Sequence, residues 1–198
     1  MPGCSATTRP SLGRLRSGFF DRPAPEVAHD LVGTTLVSER RRTRVAARIV
    51  ETEAYTGDDP ASHSFAGRTA RNASMFGPPG TLYVYLIYGM HHCLNVATGP
   101  EGEGSAVLFR AAEPVEGLGL MRRRRGAPRD RDLCAGPARL CGAFGLDRRH
   151  DGIDLTRSTW LWMEPGSRVP VETTPRIGVS RAADVAWRFV EFGSPWAS

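Results

Sequence analysis

The 198-residue chain contains no lysine: all 26 of its basic side chains are arginines. That absence removes the side-chain amine on which Schiff-base chemistry normally relies. Four cysteines, at 4, 93, 134 and 141, form neither a CxxC pair nor a dense disulfide framework, which fits a reduced intracellular protein. No apolar run approaches the roughly 20 residues of a membrane span, and the arginine-bearing start lacks the apolar stretch of a signal peptide. His91-His92-Cys93 invites a metal reading. Adjacent strand residues point to opposite faces, however, and no second ligand pair stands at a familiar spacing, so no metal is expected.

What is present favours an anionic partner. The formal net charge is +5 and the pI about 9.5, and arginine's planar fork matches phosphate oxygens two at a time. The 40% hydrophobic residues suffice for one sizeable core. Residues 1–17 are rich in Gly, Pro, Ser, Thr and Arg with no acidic residue, predicting a disordered basic arm ahead of one domain over 18–198. Asp21, Pro23, Pro25 and the apolar positions to Val32 predict a capped helix ending at Gly33. Strands are predicted over 34–38 and 45–55 around an Arg40-Arg41-Arg42 turn, and over 106–111. Helices follow over 115–125 and 137–144, then short strands over 160–163, 168–172, 177–179 and 187–192. Lacking a βαβ rhythm, this order predicts an α+β fold: a single compact mixed domain with a mostly antiparallel curved sheet, short helices and a protruding β-hairpin.

Two segments carry chemistry. Thr81–Asn95 places Tyr83 and Tyr85 on one strand face, and Tyr88-Gly89 fits a two-residue turn with Tyr88 exposed at its tip. This ribbon suits a flat ligand, or simply a sheet with half-buried tyrosines. In Ile49–Tyr55, period two sets Glu51, Glu53 and Tyr55 on one face. That acidic face fits a solvated edge, a set of arginine partners or a working carboxylate. Glycosidase pairs flank a bond at roughly 5 to 9.5 Å. Glu51 and Glu53, about 7 Å apart along one strand, need not flank anything, so a single working carboxylate is the simpler reading.

Together, Glu51-Thr52-Glu53-Ala54-Tyr55, His63-Ser64, Arg71-Asn72 with Met75-Phe76, Pro79 through Gly89, Asn95, Arg110-Ala111 with Glu113-Pro114, Arg176-Ile177-Gly178-Val179 and Gly193-Ser194-Pro195-Trp196 resemble the alkyladenine DNA glycosylase family. The likeness runs in order from about Asp21 to the last residues. It implies a cofactor-free, metal-free monofunctional enzyme of base excision repair that removes 3-methyladenine and other damaged purines from duplex DNA. Hypoxanthine and ethenoadenine fall within the family's range. Glu53 matches the general base that activates water, and Arg110 and the backbone carbonyl of Ile177 match the groups that help to hold that water. Tyr55, His63 and Tyr85 match the aromatic walls around an extruded base. Asn95 matches the side chain that excludes guanine, and Tyr88 the wedge that fills the vacated helix. Arg68, Arg139 and Arg148 match phosphate-facing positions, with Gly136-Pro137 opening a helix suited to a phosphate.

His91 and His92 replace aromatic residues of the vertebrate member, and the Tyr55–His63 segment is one residue shorter. An N-terminal proline amine, if Met1 were removed, is the one route to a covalent lyase, and the basic context of Pro2 argues against it. The expected protein is a monomer in the cytoplasm, associated with the nucleoid and with no membrane contact. Two competing readings are a non-catalytic module that stacks bases on tyrosines and holds phosphates with arginines, and a metal hydrolase using His63, His91 and Cys93.

Overall fold

The computed structural model describes residues 13–126 and 129–198. Helices α1 (Ser17–Phe20) and α2 (Ala24–Leu31) precede strands β1 (Thr35–Arg40), β2 (Thr43–Tyr55), β3 (Leu82–Ile87), β4 (His91–Thr98) and β5 (Ser105–Glu116). Helices α3 (Leu118–Arg125) and α4 (Pro137–Phe144) and strands β6 (Leu161–Glu164), β7 (Val171–Thr174) and β8 (Arg188–Glu191) complete the chain. All pairings are antiparallel, in the order β3-β4-β5-β2-β1-β6, while β8 joins β2 at Glu51–Glu53 and carries β7 on its other side. The mixed antiparallel fold expected from the sequence is therefore the one observed.

Both hairpin turns need left-handed backbone at two successive residues, the geometry whose twist matches the flanking strands. Arg41 and Arg42 adopt φ 47 and 65, and Tyr88 and Gly89 φ 52 and 70. The helices lie against one face of the sheet, where Leu31, Leu36, Ile49, Phe109, Leu140 and Phe144 are fully or almost fully buried. Burying each such side chain contributes about 1.5 to 3 kcal/mol. A smaller cluster of Val37, Ala46 and Trp162 covers part of the opposite face.

The feature that positions the site is a pair of adjacent irregularities. Along β2 the core-facing residues are Val45, Ala47 and Ile49, then Ala54; along β5 they are Val107 and Phe109, then Ala112. The parity changes because the register slips between Ile49 and Glu51, and again between Glu51 and Thr52. Val50 on β2 and Arg110 on β5 are the extra residues, one on each strand. Bulges of this kind re-aim side chains. Here they turn Glu51, Glu53 and Arg110 away from the apolar core, into which strict alternation from Val45 would have directed both glutamates.

Several predicted boundaries need correction. Of the arm expected over 1–17, residues 1–12 lie outside the described residues, as do Cys4 and Pro2, but residues 13–17 are held to the fold. The Arg14 guanidinium lies 4.1 Å from the Trp162 ring centre, and the Leu15 N–H donates to Met163 O at 2.9 Å. Helix α2 has no side-chain cap from Asp21; Pro23 occupies the cap position, and the helix stops before Gly33. Gly33 has φ +90, and a Cβ there would lie 2.4 Å from Ser167 O. Helix α3 starts at Leu118 because β5 continues through Val115 to Glu116. Residues 177–179 are no strand, since Gly178, at φ 76, bends the segment. Among the described residues no helix is long and apolar enough to cross a membrane. Cys93, Cys134 and Cys141 are buried free thiols.

Candidate active site

Glu53 and Glu51 are both fully buried, and Arg110 lies between them. Its Nε donates to Glu51 Oε1 at 2.9 Å, while its Nη1 stands 3.3 Å from Glu53 Oε1. Burial works against the Arg110 charge, but Glu53 and Glu51 outweigh it and hold the pKa above the ordinary arginine value. Glu51 also accepts from Arg188 Nε at 2.6 Å and from the Ser198 N–H at 2.6 Å. Burial pushes Glu51 up, yet these donors prevail and keep it below the usual carboxylate value. Glu51 is thus an ionised anchor with every oxygen spent on protein donors.

Glu53 has different neighbours. Tyr55 Oη donates to its Oε2 at 2.8 Å, and the Ile177 N–H donates to Oε1 at 2.8 Å. Burial, then the Glu53 charge, raise the Tyr55 pKa far above its ordinary value, so its hydroxyl stays a donor. Ile177 reaches Glu53 through its N–H, a contact separate from the carbonyl expected to help hold the water. The 176–179 segment is fixed by Arg176, buried in an ion pair with Asp59, donating to Ala54 O at 3.0 Å and lying 4.7 Å from the Tyr55 ring centre. The tyrosine wall and the Glu53 donor therefore share one anchor.

A cavity of about 490 Å³ opens in front of Glu53, bordered by Tyr55, His63, Tyr85, Asn95, Arg110 and Ile177 and by residues 135–139. His63 and Tyr85 meet edge to face at 4.5 Å, and His63 Nδ1 lies 3.1 Å from Tyr83 Oη. Burial, and then Arg71, hold His63 below the ordinary imidazole value, so the ring is neutral at pH 7. Tyr83 packs with Met75 and Ala106 behind the wall, and burial pushes its pKa up to about 12. Asn95 is buried and donates Nδ2–H to Tyr83 O at 3.2 Å. His91 and Cys93 also border the cavity, but among the described residues no group of three His, Cys, Asp or Glu could hold a metal ion.

The β3–β4 turn projects Tyr88, 85% exposed, with Leu86 and Met90 beside it, so the hairpin tip is apolar and accessible. Helix α4 opens on the cavity rim at Gly136-Pro137, with Arg139 3.5 Å from Asp132. Arg68 is exposed. Arg148 differs from the expectation of a phosphate-facing side chain. Its Nη1 donates to Val84 O at 2.6 Å and lies 2.9 Å from Asp151, so its fork serves β3. The structure thus brings together Glu53, Tyr55, His63, Tyr85, Asn95, Arg110, Ile177 and the rim residue Arg139, leaving Tyr88, Arg68 and Arg148 outside the cavity wall or at its edge. Sequence reasoning missed Arg188 and the Asp59–Arg176 pair. No local signal marks partners separated by more than a hundred residues, as these are.

Comparison with known proteins shows the family. The methylpurine-DNA glycosylase family matches residues 18–195. A protein of Nitrosospira multiformis named "Putative 3-methyladenine DNA glycosylase" is 49% identical over 90% of this chain and 91% of its own length. Proteins of the same name from Methanocella arvoryzae and Rhodopseudomonas palustris are 48% and 46% identical, each over 93% of this chain and over 95% and 90% of their own lengths. The chain belongs to the methylpurine-DNA glycosylase family, the DNA-binding glycosylases that act as hydrolases in base excision repair.

Proposed function

We propose that this protein is a monofunctional glycosylase that takes 3-methyladenine and related damaged purines out of duplex DNA into the aromatic cavity and cleaves the N-glycosidic bond with water. The observation that carries the reading is the placing of Glu53. It is a buried carboxylate held by Tyr55, Ile177 and Arg110 at the wall of a cavity lined by aromatic rings. A module that only bound nucleic acid would gain nothing from a carboxylate there, where it repels phosphate.

The base leaves its stack because the sugar C1′ is unreachable inside the duplex. Stacking on Tyr55, His63 and Tyr85 returns about 1 to 3 kcal/mol per aromatic contact against the few lost on unstacking. Because His63 is neutral, it does not repel a cationic alkylpurine. Asn95 on the wall disfavours guanine through its exocyclic amine, and Tyr88 fills the gap left in the helix. Glu53 takes a proton from water as the oxygen attacks C1′ and the C1′–N bond breaks. Its negative charge suits the oxocarbenium-like transition state. A cationic alkylpurine departs as a neutral base, so no strong acid is required. Tyr55, with its raised pKa, orients Glu53 rather than protonating the leaving group. Three protein donors reach Glu53, two of them at Oε1, and a carboxylate accepts about four hydrogen bonds, so one acceptor position at Oε2 is left for the attacking water. Arg139, Arg68 and the start of α4 contact phosphate at the rim.

The test is single-turnover incubation with a duplex carrying one 3-methyladenine or hypoxanthine. Free base and an intact abasic strand are expected, with no borohydride-trapped adduct at Pro2. Binding of the duplex without base release would replace the enzyme with a binding module, and a trapped adduct would replace water with an amine nucleophile.

A further inference from the structure

The cavity occupies one end of the sheet, and most of the unbalanced charge lies at the other. Strand β2 starts at Thr43, ten residues before Glu53, a span of about 30 Å. Gly117 packs against the backbone of Arg44, where a Cβ would come within 2.6 Å of its carbonyl, so α3 begins beside the β1–β2 turn. Its last turn reaches the end of α4 remote from the cavity. Arg124 Nη1 donates to Ala143 O at 2.9 Å, and a Cβ on Gly142 would meet the Arg125 side chain at 3.3 Å.

Arg40, Arg41 and Arg42 on the turn, Arg122–Arg125 on α3 and Arg149 therefore gather at one pole. Arg40 lies 3.4 Å from the Trp160 ring centre, which holds its guanidinium flat. Burial is the first cause that lowers both Arg40 and Arg124 below the ordinary arginine value. Like charge adds to it, from Arg149 on Arg40 and from Arg40 and Arg123 on Arg124, while Asp147 opposes it on Arg40. The three segments thus sense one another electrostatically.

Two carboxylates pair directly with these arginines: Asp130 with Arg122 at 2.6 Å and Asp147 with Arg149 at 2.7 Å. Glu39, Glu116 and Glu164 collect around Arg44 instead. Alternation along β1 points Glu39 away from the face that Arg40 occupies. With Arg44 and its three glutamates included, nine arginines against five carboxylates leave four positive charges, most of the net +5 of the whole chain. Concentrating them there opposes folding by self-repulsion. Arg41 and Arg42 moreover occupy left-handed turn positions that Asn and Gly fill more easily.

We propose that this pole binds the phosphate backbone of a second DNA segment while the cavity face holds the first. Arginine forks take phosphate oxygens in pairs, and four unbalanced charges spread over three separate elements match a row of phosphates better than one compact anion. The consequence is direct transfer from one duplex to another without passage through free solution.

The test uses full-length protein with Glu53→Gln, so that the labelled lesion duplex stays intact, and follows its release during a chase with unlabelled, undamaged duplex. The expected release rate rises with chase concentration. With Arg41, Arg42 and Arg123 also replaced by Ser it should stay constant, and the same triple substitution in otherwise wild-type protein should excise from a short duplex within twofold of the wild-type rate. A rate independent of chase concentration before the triple substitution, or an equal rise after it, would overturn the proposal. So would release driven by polyglutamate but not by duplex, which would assign the pole to an acidic protein. Failure to hold the labelled duplex at all would instead remove the first DNA site, and the proposed function with it.

Discussion

Glu51 and Glu53 stand two residues apart on β2, equally buried and touching the same arginine, yet their surroundings assign them to different work. Around Glu51 the donors are Arg110, Arg188 and the Ser198 backbone, and no oxygen faces a cavity. Around Glu53 they are a tyrosine hydroxyl and one N–H of a bent segment, both on the wall of a cavity. A carboxylate with two arginines is a fixed anion that sets where Arg110 points. One with weaker, partly exchangeable donors can accept a proton. The difference lies in the neighbours, and variants of the two positions should separate accordingly.

The largest effect on chemistry is expected from Glu53→Gln. General-base loss should slow single-turnover excision by about 10²- to 10⁴-fold while duplex binding changes little and the melting temperature falls less than in Glu51→Gln, because Arg110 keeps Glu51. Glu51→Gln should reverse the emphasis. Removing this buried carboxylate leaves Arg188 without its partner and Arg110 with Glu53 alone, at a cost of about 3 to 5 kcal/mol in thermal or urea unfolding. Excision should fall by up to about 10²-fold, since Arg110 loses its orientation. If the two variants lost activity and stability in the same proportion, the division of labour would be wrong. Tyr55→Phe removes one hydrogen bond to a charged group and should slow excision by about tenfold with base affinity retained, as read from the split between kcat and KM.

The smallest effect is on pH dependence. Glu51 has a folded pKa below its unfolded value near 4.5, so its contribution is present above that value and lost as pH falls through the folded one. His63 has a folded pKa below 6.5, so below that pH the unfolded chain binds a proton that the folded chain resists, and stability drifts down in the same direction. Melting temperature measured from pH 7 to pH 3 should fall gently below 6.5 and more steeply below 4.5. The steeper part should be diminished in Glu51→Gln.

How much of this was legible depends on sequence distance. Helix α4 was readable to the residue because Pro137 opens it and Gly145, at φ 65, closes it. The Tyr88-Gly89 turn and the shared face of Glu51, Glu53 and Tyr55 also follow from local rules. The bulges at Val50 and Arg110 do not, since neither residue is a Gly or a Pro and nothing nearby marks a slip in register. Residues 177–179 alternate like a strand, yet Gly178 and the anchored Arg176 bend them onto Glu53. The Glu51–Arg188 contact, 137 residues apart, is made by the fold alone.

The most direct measurement is single-turnover release of 3-methyladenine from one duplex by wild type, Glu53→Gln and Glu51→Gln, each at full occupancy. The account predicts that Glu53→Gln binds like wild type and is the slowest of the three, at least about 10²-fold below wild type. Excision by Glu53→Gln within threefold of wild type would contradict the assignment of Glu53 as the base.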